Sequence, residues 1–457
     1  MINQNNLSNH SISLTEKIET YLQTLLNNNH FMGSVLIDYE GEVLLSKGYG
    51  MANLEHNVPN TPLTKFRLGS ITKQFTATAI LQLQEQNLLD VNSPLTTYLP
   101  EYPHGEQITV HQLLNHTAGI PNYTSFKDFK SKKRIAMELD ELMAWFKDRP
   151  LDFTPGDRFN YSNSGYAVLT KIIETVSDLS YADYLQQHIF EPLEMTNSGY
   201  DRAQTILPNR AAGYTFTGES YQNVDFIDMS LPSGAGGLYS TVEDLNKWSR
   251  SLYTDAILSQ ASVDAMFAPT IKVTTDDEDE QVYYGYGWMR NTEYKRDRVS
   301  HGGGVEGFLT HFARYPHDRV TIVVLSNLQT SSITKIEQDL AAIVFDEPYE
   351  LPKQRKAIEI DPAIYKNYVG QYKFEPSPSL PPKVRELVLT VTTDSQRIFT
   401  QMTGQEMFEI FPESPTKFFL KIVDAQLTFA DNDEGKSQVI IHQYGRDTIL
   451  NRIKTEK

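Results

Sequence analysis

Strand-like runs stand at both ends of the first 345 residues, and the stretch between them is helical or loop-like in texture. That ordering leaves few folds open. Near the start, Ser34-Val35-Leu36-Ile37-Asp38-Tyr39 and Glu42-Val43-Leu44-Leu45-Ser46-Lys47 flank Glu40-Gly41, which predicts a β-hairpin. Ahead of it, Leu14, Ile18, Tyr21, Leu22 and Leu25 recur at helical spacing. Helices are expected over residues 72–86, 139–146 and 165–175. Strands return at 298–301, 308–315 and 321–326, the last two joined by Pro316-His317-Asp318, and a helix is expected over 332–345. The economical arrangement is an α+β one: an antiparallel sheet flanked by helices, with a helical subdomain. The early hairpin and the strands near residue 320 then become neighbours in that sheet.

After Phe345 the texture changes. Residues 346–356 are polar and broken by Pro348 and Pro352, and from Tyr368 onward about eight short β-type runs appear. This predicts a first domain over residues 1–350, a linker over 351–360, and a small all-β barrel or sandwich over 361–457.

Charge and composition narrow the function. With 41 Lys+Arg against 58 Asp+Glu the net charge is −17, and such a field repels nucleic acid. The basic run Lys130-Ser131-Lys132-Lys133-Arg134 is expected to be a solvated helix face, and Asp276-Asp277-Glu278-Asp279-Glu280 an exposed loop tip. There is no cysteine, which excludes disulfides, thiolate metal sites and cysteine nucleophiles. No run is apolar for long enough to insert in a membrane, and the Asn- and Ser-rich start lacks the pattern of a signal peptide, so a cytoplasmic location is expected.

A serine hydroxyl needs a base to become a nucleophile. Gly69-Ser70-Ile71-Thr72-Lys73 supplies one: the i,i+3 spacing on a helix places the Lys73 amine on the face of Ser70. Burial lowers a lysine pKa, which frees the amine to take a proton. The same S-x-x-K spacing recurs at Ser332 and at Ser414, so the pair alone does not choose. Two later motifs make the choice. Downstream of Ser70 come Tyr161-Ser162-Asn163 and His301-Gly302-Gly303, whereas Ser332 and Ser414 lack the complete ordered set. A phenol can move a proton, an amide can hold a substrate, and a glycine-flanked strand lets a backbone N–H approach an oxyanion.

With these motifs the chain resembles the serine β-lactamase and penicillin-binding-protein superfamily, in its class C β-lactamase, D-alanyl-D-alanine carboxypeptidase and esterase branch. Leu113-Leu114-Asn115-His116-Thr117-Ala118-Gly119-Ile120, Glu191-Pro192-Leu193-Glu194-Met195, Gly236-Gly237-Leu238-Tyr239-Ser240-Thr241 and Tyr284-Gly285-Tyr286-Gly287-Trp288 agree as well, so the likeness covers about residues 15–346. The tail is similar, more loosely, to the lipocalin-like domain that often follows such a domain. The resemblance implies that Ser70 is acylated, that Lys73 is its base and Tyr161 the acid/base partner, and that Asn163 binds substrate. It implies oxyanion donors at the N–H groups of Ser70 and Gly304, with His301 and Gly303 on the substrate-facing strand, and no metal or cofactor. His116 is expected to be a buried brace, and the aromatics of residues 283–288 fit a core or a cleft equally.

One departure matters. The lactamases proper carry Lys-Thr-Gly as the third motif, and His301 replaces that permanent cation. The expected substrate is therefore an ester, an amide or a small peptide, D-amino acid peptides included, rather than one presenting a free carboxylate to this residue. A β-lactamase or D-Ala-D-Ala carboxypeptidase is the alternative. A catalytically quiet peptide-binding or assembly protein is the other. Under any of these readings three roles are open to the β-domain: capping the cleft, delivering a loop to it, or forming a homo-oligomer interface.

Overall fold

The computed structural model describes residues 4–274, 281–374, 387–431, 435, 437–443 and 446–453, with only the backbone path given for 4–13 and 446. The acidic run of residues 276–280 lies outside them. Helix α1 (Gln4–Asn27) begins ten residues before the first apolar position that marks it in sequence. Strands β1 (Gly33–Tyr39) and β2 (Glu42–Tyr49) form the expected hairpin. Its turn places Glu40 at φ 54 and Gly41 at φ 87, the two left-handed residues of a tight hairpin turn.

The remaining strands of the large sheet are β3 (Ile271–Val273), β4 (Val282–Tyr284), β5 (Met289–Glu293), β6 (Arg296–Val305), β7 (Phe308–Tyr315) and β8 (Val320–Ser326). Its order is β3-β4-β5-β6-β7-β8-β1-β2, antiparallel throughout. The first hairpin thus joins the strand at residue 320, with Val35 opposite Val324 and Ile37 opposite Ile322. Both faces of the central strands are buried, and alternation assigns them to two cores. Val35, Ile37, Ile322 and Val324 pack against α1 and helix α5 (Ile333–Val344). Leu36, Phe312, Val323 and Leu325 pack against the helical region, with α2 (Thr72–Glu85), α3 (Asn163–Ser177) and α4 (Val242–Ser251).

Beyond α5 the chain runs without helix or strand to a short 3-10 turn at Pro362–Asn367. A closed antiparallel barrel of eight strands comes next: β9 (Gly370–Phe374), β10 (Val388–Thr393), β11 (Ile398–Met402), β12 (Met407–Pro412), β13 (Lys417–Phe419), β14 (Ala425–Asp431), β15 (Ser437–Gln443) and β16 (Arg446–Arg452). Of the two all-β forms the tail allowed, it adopts the barrel. Side chains including Tyr372, Val391, Phe418, Leu427, Phe429 and Val439 fill its interior. Arg355 ties the connecting segment to Asp424 at 2.8 Å, and the barrel loop at Lys421-Ile422 lies against Gly218 of the first domain. Among the described residues no helix is long and apolar enough to cross a membrane.

Candidate active site

Ser70 sits in a single 3-10 turn, Gly69–Ile71, that runs straight into α2, and Lys73 lies in the first turn of that helix. Two glycines let strand β6 lie directly on this turn. Gly69 takes φ 54, and a Cβ there would stand 2.6 Å from the Gly304 nitrogen. A Cβ on Gly303 would stand 2.0 Å from the Leu68 carbonyl oxygen and 3.0 Å from the Ser70 nitrogen. Strand β5 pairs with β6 only from Arg296 to Ser300, so residues 301–305 run beyond it alongside the serine turn. The backbone of Gly304 is thereby brought against the turn that carries Ser70.

Lys73 is fully buried. Its Nζ lies 3.1 Å from Ser70 Oγ, 2.8 Å from Asn163 Oδ1 and 2.8 Å from the Ala235 carbonyl oxygen. Burial pulls its pKa well below the ordinary lysine value, and among the described residues no carboxylate forms an ion pair with it. The faces of Tyr161 and Tyr166, 4.7 and 5.2 Å away, favour the cation only weakly by comparison. A neutral amine has two N–H donors and one lone pair. In that neutral form Asn163 Oδ1 and the Ala235 carbonyl can take the two donors, which leaves the lone pair to face Ser70 Oγ at 3.1 Å.

Tyr161 and Asn163 flank Ser162, which precedes α3 as its N-cap. The Asn163 amide continues to Thr124 Oγ1 at 3.3 Å, and its backbone N–H donates to Asn122 Oδ1 at 3.2 Å. The Tyr161 phenol is buried with no partner in good hydrogen-bond geometry. Burial raises its pKa, and only the nearby Ser70 hydroxyl pulls the other way. It is a protonated phenol at neutral pH. His116 is the buried brace expected of it: Nδ1 accepts from the Ser162 N–H at 3.1 Å, and its ring lies 4.3 Å from that of Tyr161.

The structure corrects two expectations. His301 is only 3% exposed and does not line the cleft; its ring lies behind Tyr161, with Nε2 3.0 Å from the Tyr284 hydroxyl and Nδ1 2.6 Å from the Gly302 carbonyl. Burial above all holds its pKa down at about 3, so the ring is neutral. The basic run is not a uniformly solvated helix face either. Lys130 and Arg134 are exposed, but Lys133 is buried and pairs with Glu306 at 2.7 Å and Asp225 at 3.2 Å. The aromatics of residues 283–288 divide toward the core: Tyr284, Tyr286 and Trp288 are all buried, and Tyr284 packs behind Tyr161.

The cleft in front of Ser70 has a volume of about 230 Å³. Gly69, Asn163, Gly236 and Gly304 line it near the serine, and Phe129, Ile227, Leu231 and Val305 give it apolar walls. Sequence reasoning missed Ala235, Thr124 and Glu306. A carbonyl acceptor such as that of Ala235 leaves no mark in a side-chain pattern, whereas Glu306 adjoins the Gly307 turn and was there to be found.

The other two S-x-x-K serines are in different settings. Lys335 is paired directly with the Asp339 carboxylate, and Ser414 Oγ accepts the backbone N–H of Lys417 at 3.0 Å as part of a turn.

The site thus combines a serine on a helix-opening turn, a buried amine beside it and a glycine strand laid across that turn. The chain belongs to the Beta-lactamase family, which matches residues 18–344, and residues 354–450 match a domain of unknown function, DUF3471. Among its relatives it is similar to Penicillin-binding protein 4* of Bacillus subtilis, 31% identical over 96% of this chain and 98% of that protein. It is also similar to the Teichoic acid D-alanine hydrolase of Staphylococcus aureus, at 29% identity over 70% of this chain and 76% of that protein. The octameric penicillin-binding protein homologue from Pyrococcus abyssi superposes over 95% of this chain and 99% of its own with a TM-score of 0.65, at 26% identity.

Proposed function

We propose that this protein is a serine hydrolase that cleaves esters, amides or small peptides, those of D-amino acids included, through an acyl-Ser70 intermediate. The observation that carries the proposal is the Lys73 amine, buried with no carboxylate ion pair among the described residues and 3.1 Å from Ser70 Oγ. Ser70 Oγ attacks the substrate carbonyl carbon as its proton passes to Lys73 Nζ. The oxygen that gains charge is held by the N–H groups of Ser70 and Gly304. The carbon–oxygen or carbon–nitrogen bond then breaks. The departing atom takes a proton from the Tyr161 phenol, which the Lys73 ammonium replenishes. Water repeats the cycle on the acyl-enzyme, and Asn163 orients both the amine and the substrate.

The substrate range rests on two supports. His301 offers no positive charge to a substrate carboxylate, and one relative is named for hydrolysis of the D-alanine of teichoic acid. The full-length likeness to an octameric homologue favours self-association, which light scattering on the purified chain would detect as a mass above 52.1 kDa.

Labelling with a fluorophosphonate probe tests the nucleophile. Label should be lost in Ser70→Ala and kept in Ser332→Ala and Ser414→Ala. Label that survives Ser70→Ala would sink the proposal.

A further inference from the structure

Among the described residues that line the cleft, Glu306 alone carries a charge. It stands two residues after Gly304 in the turn between β6 and β7, where Val305 pairs with Phe308. The turn is held firmly: a Cβ on Gly307 would stand 2.6 Å from the Gly213 Cα, and the Gly307 N–H donates to Gln329 Oε1 at 3.2 Å. The Glu306 side chain is 19% exposed beside apolar walls, an environment that demands a cationic partner. In the free protein Lys133 is that partner, at 2.7 Å.

We propose that Glu306 is a specificity determinant that receives a protonated amino group on the acyl portion of the substrate, displacing Lys133 onto Asp225. The inference rests on the acyl-Ser70 reading above. Three observations carry it. Lys133 already reaches Asp225, which is 48% exposed, at 3.2 Å, so the exchange strands no buried charge. Asp225 also holds the exposed Arg134. The cleft volume of about 230 Å³ suits a short acyl group, since a water occupies about 30 Å³. In an α-aminoacyl ester or amide the ammonium is one carbon from the carbonyl that Ser70 attacks, and Ser70 and Glu306 line the same cleft. The net charge of −17 also draws cations toward the surface.

The test uses two D-alanyl esters with one leaving group, the first with a free amine and the second N-acetylated. The wild type should prefer the free amine. In Glu306→Gln the KM for the free-amine ester should rise about tenfold to a hundredfold, the scale of a charge-assisted contact, with kcat little changed and the acetylated ester unaffected. Lys133→Met removes the competing cation and should lower the KM for the free-amine ester alone. A merely structural ion pair would make both variants worse on both esters. That result, or a wild type indifferent to acetylation, overturns the assignment. Fluorophosphonate labelling in parallel separates the two readings: label kept while amine preference is absent overturns Glu306 alone, and an unlabelled wild type overturns both.

Discussion

Replacing Lys73 with methionine should lower kcat/KM by about 100- to 10,000-fold, the range for loss of a general base, and should remove a pH-dependent cost from the fold. The catalytic half stems from the contact of Nζ with Ser70 Oγ at 3.1 Å. Methionine has similar length and no proton acceptor of comparable strength, while Asn163 keeps its bond to Thr124. In the wild type kcat/KM should rise with pH through the depressed Lys73 pKa, and that acid limb should disappear in the variant. The stability half has a definite sign. The folded protein holds Lys73 neutral at pH values where the unfolded chain, with an ordinary pKa of about 10.4, still binds the proton. Over that window the unfolded state carries one more proton, so wild-type stability gains about 1.4 kcal/mol per pH unit from this residue. Below both pKa values, and above about pH 10.4, the contribution is flat. Lys73→Met lacks the term, so its stability relative to wild type should fall as pH rises from the depressed folded-state pKa of Lys73 toward about pH 10. Urea unfolding of both proteins at several pH values measures the difference. A constant difference would mean that Lys73 is charged in the folded state.

How much of the fold and site was legible beforehand depends on how locally each feature is encoded. The Ser70–Lys73 pair is one helical turn, Tyr161–Asn163 is one cap, and Glu40–Gly41 is one turn, so short patterns carried them. The pairing of β1 with β8 was readable because strands at the two ends of a helical segment have few other partners. The Lys133–Glu306 contact joins residues 173 apart and leaves no local signature, so the basic run looked uniformly solvated. His301 misled for another reason. Three glycines come after it, so no inward and outward alternation shows which way its ring turns, and tertiary packing against Tyr161 and Tyr284 decides that it points away from the cleft. The tail's short strands suited a barrel or a sandwich until the pairing of Tyr372 with Arg452 closed the ring.

Glu337→Ala should destabilise the first domain by about 3–5 kcal/mol, a large share of the roughly 5–15 kcal/mol typical of a folded domain. Glu337 on α5 is fully buried and in direct contact with Arg298 of β6, and the two side chains are 0% and 6% exposed. The carboxylate also accepts the Tyr315 hydroxyl at 3.2 Å. Burial pushes the Glu337 pKa upward, and Arg298 opposes that shift. Arginine does not deprotonate in a protein, so removing the carboxylate leaves a buried cation without its ion-pair partner, with Asn291 Oδ1 beside it at 3.4 Å. The effect reaches the site as well as the fold, because Arg298 lies on the strand that carries His301, Gly303 and Gly304. The double variant Arg298→Met/Glu337→Leu separates loss of packing from a stranded charge. With neither charge present it should recover most of the lost stability, since buried ion pairs are often no better than the apolar groups that can replace them. Urea unfolding of the two variants gives both numbers. A single variant within about 1 kcal/mol of wild type, or a double variant no better than the single, would show that the charge left on Arg298 is not what the fold loses.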